Sequence, residues 1–243
     1  MISSLFHTLI YDPVYNGLVY FVDVLPTHDV GVAVIIVTII VRIILFPLSR
    51  RAVQTQLAMK ELAPDIEAIK KKHKDNSQEQ GRAIFALYRD RKVRPFAGFL
   101  LILVQLPILL GLYFVFATGG LPEVNMDILY SFVQMPVSVN MEFLGLIDMA
   151  KPSIVLAALA VITQFIYTRL SMGPRGTTTP TEASFSSDMA RTFDVQARYV
   201  LPLVIGVFAY FIAAAAPLYW VTSNTFMILQ ELATGRRFNG PAK

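Results

Sequence analysis

VGVAVIIVTIIVRIILFPLSRR, residues 30–51, decides the fold. Twelve mostly Val, Ile and Ala residues form the first half of a membrane-spanning helix, which needs about 20 predominantly apolar residues. Arg42 interrupts the run, four more apolar residues follow (Ile43 to Phe46), and Pro47 precedes the basic pair Arg50-Arg51. A charge at that depth costs at least about 2.5–3.5 kcal/mol on insertion scales and therefore needs a compensating environment.

The rest of the 243-residue chain fits the same setting. It is 55% hydrophobic and only 16% charged, with a mean hydropathy of +0.56. A soluble domain carries about a quarter charged residues, so the deficit points to a surface facing lipid. With no Cys, disulfides, thiolate metal sites and a lipid-modified N-terminal Cys are excluded. His7, His28 and His73 are scattered, without metal-ligand spacing or a nucleophile–base pair, so no metal, cofactor or enzyme chemistry is expected.

Further apolar stretches lie at 97–117, 153–171, 199–215 and 217–234. The last two adjoin through AAAAPLYW, where Pro217 lacks an N–H and is expected to turn a tight hairpin of two short spans. The expected architecture is an all-α polytopic membrane protein with five transmembrane helices, 30–49 being the first. Residues 1–29 lack Lys and Arg, include Asp12, Asp23 and Asp29, and are broken by Pro13 and Pro26. They are expected to be no signal peptide and to stay in the mature protein. Leu5, Phe6, Leu9 and Ile10, then Leu18, Val19, Phe21 and Val22, recur at helical spacing, as in an amphipathic helix lying on the membrane surface.

Residues 50–96 are a different material. They are charged, rich in helix formers, and carry apolar Leu57, Leu62, Ile66, Ile69, Ile84 and Leu87. A helical hairpin outside the membrane is expected, turning near Asp75 to Ser77, with Lys70, Lys71, Lys72 and Lys74 near its tip. Its twelve basic residues, with Arg169, Arg175, Arg191 and Arg198 of the loop 172–198 and Arg236, Arg237 and Lys243 of the tail 235–243, total nineteen. The opposite side, including the loop 118–152, has only Lys151. Lys and Arg concentrate on the cytoplasmic side, so the N-terminus is expected outside and the C-terminus inside. The loop 172–198, rich in Gly, Pro, Ser and Thr, is expected to be mobile.

Arg42 has three ways to be accommodated. An ion pair within the bilayer lacks a partner, because the other spans hold no Asp or Glu except Glu231 near the cytoplasmic end. Snorkelling could carry its guanidinium across the roughly 10 Å to the inner interface. A water-filled cavity is the third, supported by Gln105, Thr163, Gln164, Thr222, Ser223 and Asn224 on the other spans, although such residues singly also serve as helix–helix glue.

IIVRIILFPLSRRAVQTQLAM, RPFAGFLLILVQLPILLGLYFVF and PLYWVTSNTFMILQE, in that order with a basic hairpin between the first two, make the chain similar to the YidC/Oxa/Alb family of membrane protein insertases from about residue 10 to 238. The resemblance implies five spans around a hydrophilic groove open to the cytoplasm and lipid, in a bacterial plasma membrane. It places Arg42, Gln105, Gln164 and Trp220 in that groove, where Ser223 and Asn224 of the fifth-span motif would join them. It implies nascent membrane proteins as substrates, with the ribosome, the Sec translocon and membrane lipids as partners. Neither a small-molecule cofactor nor sequence-specific nucleic acid is implied. Unlike some members, the chain is expected to have no extra N-terminal span with a large external domain, and the short tail ATGRRFNGPAK weakens the expectation of ribosome docking. An anionic-solute transporter or channel, or a non-catalytic scaffold recruiting a partner through the hairpin, are the competing functions.

Overall fold

The computed structural model describes residues 2–74, 76–93, 97–117, 120–172 and 195–233. Helix dominates, and the chain divides into two compact units: Met1–Ile43 with Pro107–Lys243, and Ile44–Leu106.

In the first unit, α1 (Ile2–Phe6) runs through a π-helical turn, His7–Tyr11, into α2 (Asp12–Val24). Pro13 sits in the first turn of α2, directly after the π-helical turn that leads into it. Leu5 and Leu9 are exposed, as an interfacial helix requires, but Leu18, Val19 and Val22 are fully buried. That face of α2 is turned to the protein instead of the membrane surface, for a physical reason. The Tyr15 hydroxyl accepts the Asn125 N–H at 2.7 Å. Asn16 donates to the Ile128 carbonyl at 2.9 Å and accepts the Tyr130 N–H at 2.6 Å. These bonds tie α2 to residues 125–130.

α3 (Val30–Glu61) does not end near Pro47. A proline removes one ladder bond and bends a helix, while the good helix formers that follow restore it, so the helix lasts 32 residues, about 48 Å. The first arm of the expected hairpin thus starts as a continuation of the span. In the second unit, α3 breaks at Leu62 and α4 (Ala63–Lys72) restarts with Pro64 in its first turn. α5 (Ser77–Asp90) is capped by Asn76, whose side chain accepts the Glu79 N–H at 3.1 Å. α4 and α5 pack on one another, joined by Gln80 to the Lys70 carbonyl at 3.3 Å and Arg91 to Asp65 at 3.7 Å. Neither helix has a buried residue. Between α4 and α5 the chain bends at His73 and Lys74, and Asp75 lies outside the described residues.

α6 (Ala97–Ala117) is followed by a long loop bearing a two-stranded hairpin, β1 (Glu142–Phe143) and β2 (Ile147–Asp148). α7 (Ile154–Met172) packs against both α8 (Leu201–Phe211), which a π-helical stretch Gln196–Val200 precedes, and α9 (Ala215–Ala233). Gly206 of α8 lies so close to Val161 of α7 that a β-carbon there would collide. The chain breaks between α8 and α9 at Ile212, which is extended, and not at Pro217. The Ala214 N–H donates to the Lys151 carbonyl at 2.9 Å and the Ala215 N–H to the Met149 carbonyl at 3.2 Å. Those external acceptors fix the break, leaving Pro217 in the first turn of α9, where it costs nothing.

Two helical stretches, Val30–Thr55 and Ile154–Met172, are long and apolar enough to cross a membrane among the described residues; Leu103–Ala117 and Gln196–Phe211 are shorter apolar helices. Most of the expected loop 172–198 and the tail 235–243 lie outside the described residues.

Candidate functional site

Arg42 is 4% exposed. It sits on α3 one turn beyond Thr38, which is also buried and donates its hydroxyl to the Val34 carbonyl at 2.6 Å. Such back-bonding removes the hydroxyl from competition within an apolar helix. The Arg42 Nη2 donates to the Ser223 hydroxyl of α9. Its Nε and Nη1 are buried and have no hydrogen-bond partner among the described residues. Tyr219 and Tyr167 lie near the same guanidinium.

The cluster continues from Ser223 to its neighbour Asn224, both buried. Asn224 Nδ2 donates to Gln164 Oε1 of α7 at 3.1 Å and approaches Thr163 Oγ1 at 3.4 Å. Gln164 in turn donates to Thr168 Oγ1 at 3.2 Å. Gln164 and Thr168, like Thr38 and Arg42, are four residues apart and therefore share a helix face. Three helices thus converge on one polar chain: Arg42, Ser223, Asn224, Gln164, Thr168. Amide and hydroxyl groups satisfy one another along it. The guanidinium keeps surplus donors and a full charge, which is the chemistry of an anion-receiving site.

Of the residues expected at the site, Arg42, Ser223, Asn224 and Gln164 come together. Trp220 lies on α9 one turn before Ser223 and Asn224 and is half-buried. Gln105 belongs to the other unit and is half-buried there. Lys70, Lys71 and Lys72 are exposed on the last turn of α4, where cations complement the helix dipole, with Lys74 exposed in the turn beyond. His73 faces Glu79 across that turn at 3.2 Å. Thr38, Thr168 and Tyr219 were not singled out by sequence reasoning; the four-residue spacing from Arg42 and Gln164 is the signal that finds the two threonines.

The fold and this cluster define a class: a mostly helical protein with membrane-length apolar helices that bury a cation among neutral polar groups. A family model described as "60Kd inner membrane protein" matches residues 21–241. The "Membrane protein insertase YidC" of Clostridium tetani is 32% identical over 210 residues, covering 86% of this chain and 83% of that protein. The protein of the same name from Oceanobacillus iheyensis is 33% identical over 207 residues, covering 83% of this chain and 73% of its own length. A solved structure titled "Active YidC insertase crystal structure with the first transmembrane domain resolved" matches with a TM-score of 0.54 and 24% identity. That match covers 90% of this chain, which spans 46% of the solved one. The chain belongs to the 60Kd inner membrane protein family, in agreement with the resemblance drawn from its motifs.

Proposed function

We propose that this protein is a membrane protein insertase that works without making or breaking a covalent bond. Its five spans, 30–49, 97–117, 153–171, 199–215 and 217–234, surround a hydrophilic groove open to the cytoplasm, with the N-terminus outside and the C-terminus inside. Arg42, Ser223, Asn224 and Gln164 line the groove, with Trp220 one turn away on α9. The single observation that carries the proposal is Arg42 itself: a buried guanidinium with two nitrogens unpartnered among the described residues. Family membership and the names of the relatives support the same conclusion.

The mechanism follows from the cost of polar groups in lipid. A nascent protein's acidic or polar segment enters the groove, where water and Arg42 replace part of its hydration. Its apolar segment leaves sideways into lipid, where burial is favourable. The apolar helix Gln196–Phe211, roughly 24 Å long at about 1.5 Å per residue, is short of a hydrocarbon core of about 30 Å, so the bilayer thins beside it and the polar path shortens. The hairpin 50–96, with Lys70, Lys71, Lys72 and Lys74, meets incoming chains, the ribosome or anionic headgroups. A Sec translocon could hand substrates over at the same place.

Purified protein in vesicles tests this reading. A single-span substrate with an acidic external tail should become protease-protected only when the insertase is present. Flux of a small anion through the same vesicles, without insertion, would contradict it and favour a transporter.

A further inference from the structure

The hairpin β1–β2 pairs Glu142 with Asp148 and Phe143 with Ile147. Its turn holds Leu144 at φ +52° and Gly145 at φ +68°, and the Leu146 N–H donates back to the Phe143 carbonyl at 3.0 Å. Two successive left-handed residues make a type I′ turn, whose favoured sequence is Asn-Gly. A leucine in the first place meets steric opposition from its own β-carbon. Yet Leu144 and Leu146 are 65% and 84% exposed. A turn designed for water would gain from a polar residue at both positions. Strain kept at a special backbone position is a reason to look for a role.

The tip is also held in place. Asp29, itself buried, accepts the Leu144 N–H through Oδ2 at 2.8 Å and caps α3 by accepting the Val32 N–H through Oδ1 at 3.1 Å. Asn140 donates its N–H to the His28 carbonyl and accepts the Val30 N–H, both at 2.9 Å. Phe143 packs where a β-carbon on Gly31 would stand. The hairpin is therefore fastened to the first turn of α3, the end at which the apolar run starts. Ile39, Ile40 and Ile43 are exposed along that run, and Ile154 and Val155 open α7 exposed in the same way. The charges Glu142, Asp148 and Lys151 stay at the hairpin's base.

We propose that the tip Leu144-Gly145-Leu146 is seated in lipid, among acyl chains of the leaflet at the Val30 end of α3. The exposed apolar tip lies at the end of α3 where the apolar run starts, while its charged base stays in water. The seat sets the depth of α3, and with it that of Arg42, twelve residues or about 18 Å further along the helix. This rests on α3 being a membrane span.

The absence of cysteine makes the test clean. Single variants Leu146→Cys, Ile40→Cys and Asp127→Cys carry a nitroxide label in phosphatidylethanolamine–phosphatidylglycerol vesicles, and collision with oxygen and with a water-soluble nickel chelate is measured. The label at 146 should favour oxygen over nickel by several fold, as the label at 40 does, whereas the label at 127 favours nickel. Leu144→Asn, which suits the turn and keeps the fold, should shift the label at 146 toward water. A water-like label at 146 beside a lipid-like label at 40 overturns the seat and leaves the span standing. A water-like label at 40 overturns the span as well. A label at 146 shielded from both reagents means a protein covers the tip, which also overturns the seat, as does an unchanged depth in Leu144→Asn.

Discussion

Replacing Arg42 by Met removes the charge while keeping an unbranched apolar stem in its place. With Nη2 engaged by Ser223, the guanidinium offers Nε and Nη1 to a visiting carboxylate. A hydrogen bond to a charged group contributes about 1.5–3 kcal/mol, and each 1.36 kcal/mol is tenfold in rate. Arg42→Met should therefore slow insertion of a substrate with an acidic tail by roughly 10- to 150-fold. A substrate whose tail is neutral should change little, and Arg42→Lys should retain part of the rate, since charge in water is the property needed. Stability should move the other way. Exchanging a buried charge for an apolar side chain of similar shape is often neutral or stabilising, and Ser223 can back-bond to a carbonyl of its own helix. Thermal unfolding in detergent should then show Arg42→Met as stable as the parent or more so. The reasoning fails if acidic and neutral substrates slow equally, or if the loss follows a fall in melting temperature.

Other consequences are within reach of the same assays. Asn224→Leu should destabilise by about 1–3 kcal/mol because Gln164 is left buried without its donor, and Asn224→Leu with Gln164→Leu should cost less than the sum, which a double-mutant cycle of thermal unfolding measures. Gly206→Ala should cost about 1–3 kcal/mol through overpacking against the stiff Val161, seen as a lower melting temperature. Asp148 lies below the usual carboxylate range, first because the Lys151 ammonium hydrogen-bonds it and then because the Ala150 N–H does. A lowered folded value means its stabilisation is present above the unfolded value of about 3.9 and is lost as pH falls through the folded one. Lys151→Met should move the Asp148 carboxyl upward in an NMR titration, and an unmoved carboxyl would show that the ion pair is not the main cause.

The helices were largely legible as runs of apolar residues, because a bilayer demands length and hydrophobicity and little else. Arg42 was legible for the same reason, as the one charge that breaks such a run. The direction of α2's apolar face was not, since a membrane surface and a protein surface ask for the same pattern; Tyr15 and Asn16 choose the protein through hydrogen bonds to residues more than a hundred positions away. Pro47 read as an exit because proline opposes helix, but a single lost bond does not outweigh the helix formers on either side. The break at Ile212 depends on the carbonyls of Met149 and Lys151, which no local pattern near residue 212 announces. Within the site, the polar types on the spans were visible one by one, while the pairing of Arg42 with Ser223, 181 residues away, belongs to tertiary packing. Asp29 looked like one more external carboxylate until its two oxygens were found on two elements.

The central claim is that Arg42 faces the substrate as it enters the membrane. A photo-crosslinking amino acid at position 42, challenged with a ribosome-stalled membrane protein carrying an acidic segment, tests it directly. The account predicts a crosslink to that segment at intermediate chain lengths, which disappears once the chain is released into lipid. Crosslinks to lipid alone at every chain length would contradict it.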